Sequence, residues 1–150
     1  MSTTMWFEDF ETGQLFRSPG RTITEADLTI FSMVSGDWNP IHSDAEFARE
    51  TSFGQRVVHG TLGVALITGF FDRMGVFEGS AIALLGIEDW KFRAPILIGD
   101  TLHLEMEIGA TRLTSKGDMG IIDRLLRLKR HDGTVVQDGR MGLMIRRRPA

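Results

Sequence analysis

Two side chains able to move protons, Asp37 and His42, stand five residues apart in the run Ser35-Gly36-Asp37-Trp38-Asn39-Pro40-Ile41-His42. A carboxylate and an imidazole converging on one water are what general-base activation requires. Histidine titrates near pH ~6.5, so either partner can hold or release a proton around neutrality. In extended chain five residues span about 17 Å, too far to share a water. Asn39-Pro40 lies between them and is a turn signal that folds the loop so that both groups face one point. Gly60 supplies a third part. It opens a run without charge, Thr61 to Phe71, and its missing side chain lets a substrate carbonyl approach the backbone. Its N–H belongs to the unpaired donors of a first helical turn, at the positive end of the helix dipole, where an oxyanion is stabilised.

Other segments must position these groups. Thr24 reads as an N-cap with Asp27 as a short capping-box acid, and Ile23 staples onto Leu28. Leu28, Phe31 and Val34 then line one helical face, and Gly36 stops the helix. Pro40 prevents its continuation. Ser43-Asp44-Ala45-Glu46 has the S-x-x-E form of a second capping box, opening a short helix with Phe47 and Ala48 that ends near Gly54. Thr61 to Met74 is the main helix, with Leu62, Val64, Leu66, Ile67, Phe70 and Phe71 on nearly every side, the pattern of a helix buried all round. Gly63 and Gly69 are unfavourable inside it, which close approach of a sheet explains. A short strand and turn are expected around Gly13 to Arg21. From Ser80 onward the period becomes two. Leu102, Leu104, Met106 and Ile108 alternate with polar residues, and 81–93, 119–130 and 134–146 are strand-like, with Asp132-Gly133 as a hairpin turn. Helices followed by consecutive antiparallel strands indicate an α+β fold, with a curved sheet around the apolar helix.

Composition narrows the function. The 150 residues suit one domain, 1–150. With 17 basic and 20 acidic side chains there is no basic face for a nucleic-acid partner. Cysteine is absent, which removes disulfides, thiolate nucleophiles and Cys-based metal sites. Tyrosine, a common catalytic acid, is also absent. The acidic N-terminal segment lacks the basic region of a signal peptide. No apolar run reaches the ~18 residues of a membrane span. A soluble cytoplasmic protein is the resulting expectation.

The run Gly36-Asp37-Trp38-Asn39-Pro40-Ile41-His42, followed by Phe53-Gly54 and Val58-His59-Gly60-Thr61-Leu62, resembles the MaoC-like dehydratase family, the (R)-specific enoyl-CoA hydratases of the hydratase 2 type. Trp90-Lys91-Phe92-Arg93-Ala94-Pro95 with Gly99-Asp100 resembles it too. The resemblance covers most of the chain. It implies a hot-dog fold and a homodimer or higher homo-oligomer, with an acyl-CoA thioester entering near the subunit interface. It implies reversible hydration of a 2-enoyl-CoA, with no cofactor beyond the coenzyme A of the substrate. Asp37 and His42 match the catalytic pair, and Gly60 the amide that binds the thioester carbonyl. Thr68 falls where related hydratases often carry a Ser; Thr is bulkier and stiffer there. Asn39 is counted with Gly60 and Thr68 among the substrate-binding positions.

Taken singly, these residues also fit plainer roles. Asp37 can be a turn-forming residue, His42 a packing residue, Gly60 a flexible helix entry, and Thr68 a core hydroxyl bonded to its own helix. His59 reads as structural, hydrogen-bonded at the helix start. A metal held by Asp37, His42 and His59 is allowed by residue type but lacks a recognised ligand spacing. Arg146-Arg147-Arg148 reads as a solvated tail, and it, Lys91 and Arg93 are candidates for the phosphates of CoA. A hot-dog thioesterase, or a non-catalytic acyl-CoA-binding subunit, are the alternative functions.

Overall fold

The computed structural model describes residues 4–149; the expected domain limits, 1 and 150, and the first residues of the N-terminal segment fall outside them. A 3-10 turn, Phe7–Asp9, and two short strands, β1 (Leu15–Arg17) and β2 (Arg21–Thr22), lead into helix α1 (Glu25–Ser35). Short helices α2 (Pro40–Ser43) and α3 (Ala45–Arg49) follow, then α4 (Gly60–Met74) and four long strands, β3 (Ala81–Phe92), β4 (Thr101–Leu113), β5 (Met119–Arg130) and β6 (Val135–Arg146). The strands form one antiparallel sheet in the order β1-β4-β5-β6-β3, with β2 also paired to β4. The sheet curves around α4 without closing into a barrel. Its pairing slips at three points between β3 and β6 and at one each between β4 and β5 and between β5 and β6, and such bulges bend a strand and raise its local twist.

Pattern and structure agree through the sheet. Leu102, Leu104, Met106 and Ile108 of β4 are buried against α4, as are Ile122, Leu126 and Leu128 of β5. Asp132-Gly133 turns the β5–β6 hairpin, with Gly133 in the left-handed region at φ 89° and its N–H donating to Arg130 O. Thr24 and Asp27 form the α1 capping box; the Thr24 N–H donates to Asp27 Oδ2 at 2.9 Å, and the Asp27 N–H to Thr24 Oγ1 at 3.4 Å. Gly36, at φ 75°, ends the helix.

Four expectations fail. Ser43 caps nothing. It is the last residue of α2, and its hydroxyl donates to Trp38 O and Asn39 O. Pro40 has already started a helical turn capped by Asn39, so the next cap falls to Asp44, which accepts the Phe47 N–H at 3.0 Å. The helix it opens ends at Arg49, short of Gly54. Val34 is 79% exposed; Leu28 is the α1 residue that reaches the core, with Phe31 packed at its margin. Finally, α4 is not buried all round. Leu62, Gly63, Leu66, Ile67 and Phe70 are buried, whereas Ala65, Thr68 and Gly69 are exposed, because the sheet covers one side and α1 covers only part of the other. The glycines divide accordingly. A Cβ on Gly63 would lie 2.3 Å from the Gln137 amide, whereas one on Gly69 would meet nothing within 4 Å.

Candidate active site

The loop between α1 and α2 is folded by its own side chains. Asp37 accepts the Asn39 N–H and Asn39 accepts the Ile41 N–H, at 3.1 and 3.2 Å, two successive Asx turns. Asn39 is thereby committed to capping α2. The turn brings Asp37 Oδ2 to 3.7 Å from Nε2 of His42. His42 Nδ1 donates to the Val57 carbonyl at 2.7 Å, which fixes the tautomer and leaves the Nε2 lone pair facing the carboxylate. The imidazole is mostly enclosed, its side chain 13% exposed, while the carboxylate is 51% exposed.

His59 completes the cluster. Its ring stacks on His42 with centroids 3.8 Å apart and packs against Phe31 at 5.1 Å. His59 Nε2 donates to the main-chain carbonyl of Asp37 at 2.9 Å and lies 3.9 Å from that residue's carboxylate. Ser32 Oγ is 3.4 Å from the same nitrogen. His59 Nδ1 is buried without a hydrogen-bond partner. The ring thus pins the Asp37 loop to the N-cap of α4. The sequence grouped His59 with Asp37 and His42 only as a metal set allowed by residue type and otherwise read it as structural; the stacking on His42 was not foreseen. Ligand atoms of Asp37, His42 and His59 all lie within 4.8 Å of one another. His59 Nε2 is committed to the Asp37 carbonyl, so in this arrangement that nitrogen serves the loop and is not offered to an ion.

Gly60 is the first residue of α4, so its N–H has no intrahelical acceptor. Its carbonyl accepts the Gln137 side-chain amide at 2.8 Å, and that amide also accepts from Trp90 Nε1 at 3.2 Å. Gln137 and Trp90, from β6 and β3, therefore hold the helix entrance; Trp90 stood in a family-resembling run but without this role, and nothing in the sequence announced Gln137. A Cβ at Gly60 would press on the Phe92 ring at 2.9 Å. A cavity of about 320 Å³ opens here, with Gly60, Phe92, Arg93 and Pro95 in its wall. Arg93 is paired with Asp138 at 2.8 Å. Thr68 stands apart from this entrance, two turns along α4 on its open side, its hydroxyl donating to Ala65 O at 2.7 Å. The arginine tail is not loose: Arg147 and Arg148 bind Glu8 and Asp9.

The curved sheet over one long helix is the hotdog architecture; a Mycobacterium tuberculosis protein described as a double hotdog fold superposes with TM-score 0.83 over 97% of this chain and 45% of its own, at 19% identity. Residues 9–123 match the family model described as MaoC like domain, and the chain belongs to that family. It is 38% identical to the protein MaoC of Klebsiella aerogenes over 67% of this chain and 30% of that protein. It is 35% identical to the (R)-specific enoyl-CoA hydratase of Rhodospirillum rubrum over 65% of each. The chain thus spans under two thirds of the length of these relatives. Among solved structures, the monoamine oxidase regulatory protein of Archaeoglobus fulgius shares 29% identity and a TM-score of 0.89 over 99% of both chains. The named hydratases and dehydratases of the family are hydro-lyases.

Proposed function

We propose that the protein is an (R)-specific enoyl-CoA hydratase, equally a 3-hydroxyacyl-CoA dehydratase, adding water reversibly across the C2–C3 double bond of a 2-enoyl-CoA. One observation carries this reading: the carboxylate of Asp37 and the free Nε2 of His42 lie 3.7 Å apart, beside the open start of α4. A water held between them gives a proton to His42 as its oxygen bonds to C3. The π electrons of the C2–C3 bond move toward the thioester, and negative charge gathers on its carbonyl oxygen. The Gly60 N–H donates a hydrogen bond to that oxygen, a contact of the kind typically worth about 3 kcal/mol in the transition state. The proton then reaches C2. Atoms and electrons balance without oxidation, so no redox cofactor is needed beyond the substrate's own coenzyme A.

The same proposal covers a single domain acting in the cytoplasm as a homodimer or higher homo-oligomer, with no nucleic-acid or membrane partner. The exposed apolar strand β3 supports the assembly. Thr68 and Asn39 act at second remove, Thr68 bordering the acyl path and Asn39 shaping the catalytic loop.

Crotonyl-CoA, followed by loss of enoyl absorbance with chiral analysis of the product, tests the reaction. Asp37→Asn and His42→Ala are each expected to lower kcat by about 100- to 10,000-fold. Wild-type turnover in both variants would remove the assigned roles. Release of free thiol would mean a thioesterase, and tight CoA-ester binding without turnover a non-catalytic subunit.

A further inference from the structure

Strand β5 turns Ile122, Arg124, Leu126 and Leu128 toward α4, and Arg124 is the one charge in that row, 2% exposed. Taking a cation out of water costs several kcal/mol unless an anion meets it. Among the described residues no carboxylate lies within ion-pair distance of Arg124. Its neighbour Asp123 faces the other way and binds Arg140 at 2.6 and 3.0 Å. Arg124 is held instead by softer contacts. Its Nε donates to the Met141 carbonyl at 3.1 Å, and its guanidinium carbon lies 4.1 Å from the centre of the Phe71 ring and 5.4 Å from that of Phe77. Burial pulls its pKa down to about 10, so it remains a cation at neutral pH. The two Nη groups make no hydrogen bond within the described chain.

They border a cavity of about 130 Å³ whose wall includes Thr68, Phe71, Phe77, Leu84 and Met141. Thr68 also borders a groove of about 540 Å³ between α1 and α4, which begins at Phe31 and Leu62. Phe31 packs on His59 of the catalytic cluster. The two cavities share Thr68, and together they line the open side of α4 from Phe31, beside the cluster, to Arg124, roughly 13 Å along the helix from Leu62 to Phe71.

We propose that Arg124 binds a carboxylate at the far end of the acyl group, which makes the preferred substrate the thioester of a dicarboxylic 2-enoic acid. This rests on the hydratase reading above and names its substrate class. A planar carboxylate matches the two free donors of a guanidinium, and the aromatic walls exclude the water that competes for both. A methyl-terminated chain fills the same space but leaves the buried cation unmet.

The test compares 2-enoyl-CoA esters of four to ten carbons, each with either a terminal methyl or a terminal carboxylate. The wild-type protein is expected to favour the carboxylated ester at its best length by about 10- to 100-fold in kcat/KM, the range of a charged hydrogen bond. In Arg124→Met that ratio falls toward one, and Arg124→Lys, which keeps charge but loses the fork, restores part of it. If the wild type hydrates methyl-terminated esters and shows no carboxylate preference at any length, the assignment of Arg124 is overturned and the hydratase reading stands. If neither series is hydrated, the hydratase reading falls. Calorimetry with saturated acyl-CoA and ω-carboxyacyl-CoA then decides the subsite alone: tenfold tighter binding of the carboxylated ester supports it, and equal binding overturns it. The wild-type comparison holds even if the variants fail to fold.

Discussion

Strands β3 and β5 have the same length, 12 residues, and opposite fates. In β5 every second side chain is buried, and the strand lies between β4 and β6. Among the described residues β3 pairs only with β6, and Ile82, Leu84, Leu85 and Ile87 are exposed at 40–49%. An edge strand of this length, rich in large apolar side chains, invites pairing unless something covers it. The difference teaches that folding completes one half of the molecule and leaves the other, β3 with the open side of α4 and Ile30, Met33 and Val34 of α1, in a state that association would complete.

The contrast is sharpest under truncation. Leu128→Ala, at a fully buried β5 position, is expected to cost about 2–5 kcal/mol in urea unfolding. An equal cost for Ile87→Ala in a monomeric background would erase the distinction. Next come two substitutions on α4. Gly63→Ala must displace the Gln137 amide and break its bonds to Gly60 and Trp90, a loss of about 1–3 kcal/mol. Gly69→Ala has open space around it and is expected to stabilise the protomer by about 0.5–1 kcal/mol through helix propensity; thermal melts of the pair read both signs. Leu85→Lys with Ile87→Lys is expected to change protomer stability by no more than about 0.5 kcal/mol while shifting sedimentation from dimer to monomer. A dimer that survives both lysines does not use β3.

The smallest effect concerns the chain ends. Arg147 and the Arg148 N–H hold the Glu8 carboxylate down from its ordinary 4.5 to about 2. A carboxylate depressed by folding adds stability above its unfolded pKa and loses it as pH falls toward the folded one. The melting difference between wild type and Glu8→Gln should therefore be steady above pH 5 and vanish as pH nears 2.

Much of this was legible from local pattern. Alternation set the strands because each sheet face meets one environment, and Thr24 and Gly36 mark the ends of α1 and Gly133 the β5–β6 turn because caps and turns depend on single residues. What escaped depends on partners distant in sequence. The Ser43 box was a valid motif overruled by Pro40 three residues earlier. The apolar stretch of α4 from Leu62 to Phe71 predicted cover on nearly every side, and the protomer supplies it fully on one and only in part on the other. Of the candidate site, the turn that brings Asp37 to His42 could be read from Asn39-Pro40. The stacking of His59 on His42 and the hold of Gln137 on Gly60 could not, since each joins separate elements. Arg124 carries a local signal of its own, a charge in phase with Ile122, Leu126 and Leu128.

The bond from His42 to the Val57 carbonyl has a consequence beyond orientation. A ring tethered at one nitrogen cannot swing to collect a proton from bulk solvent and return. In the proposed reaction, what the ring takes from a bound molecule it would give back from the same nitrogen, so the forward and reverse directions would share a single track through one atom.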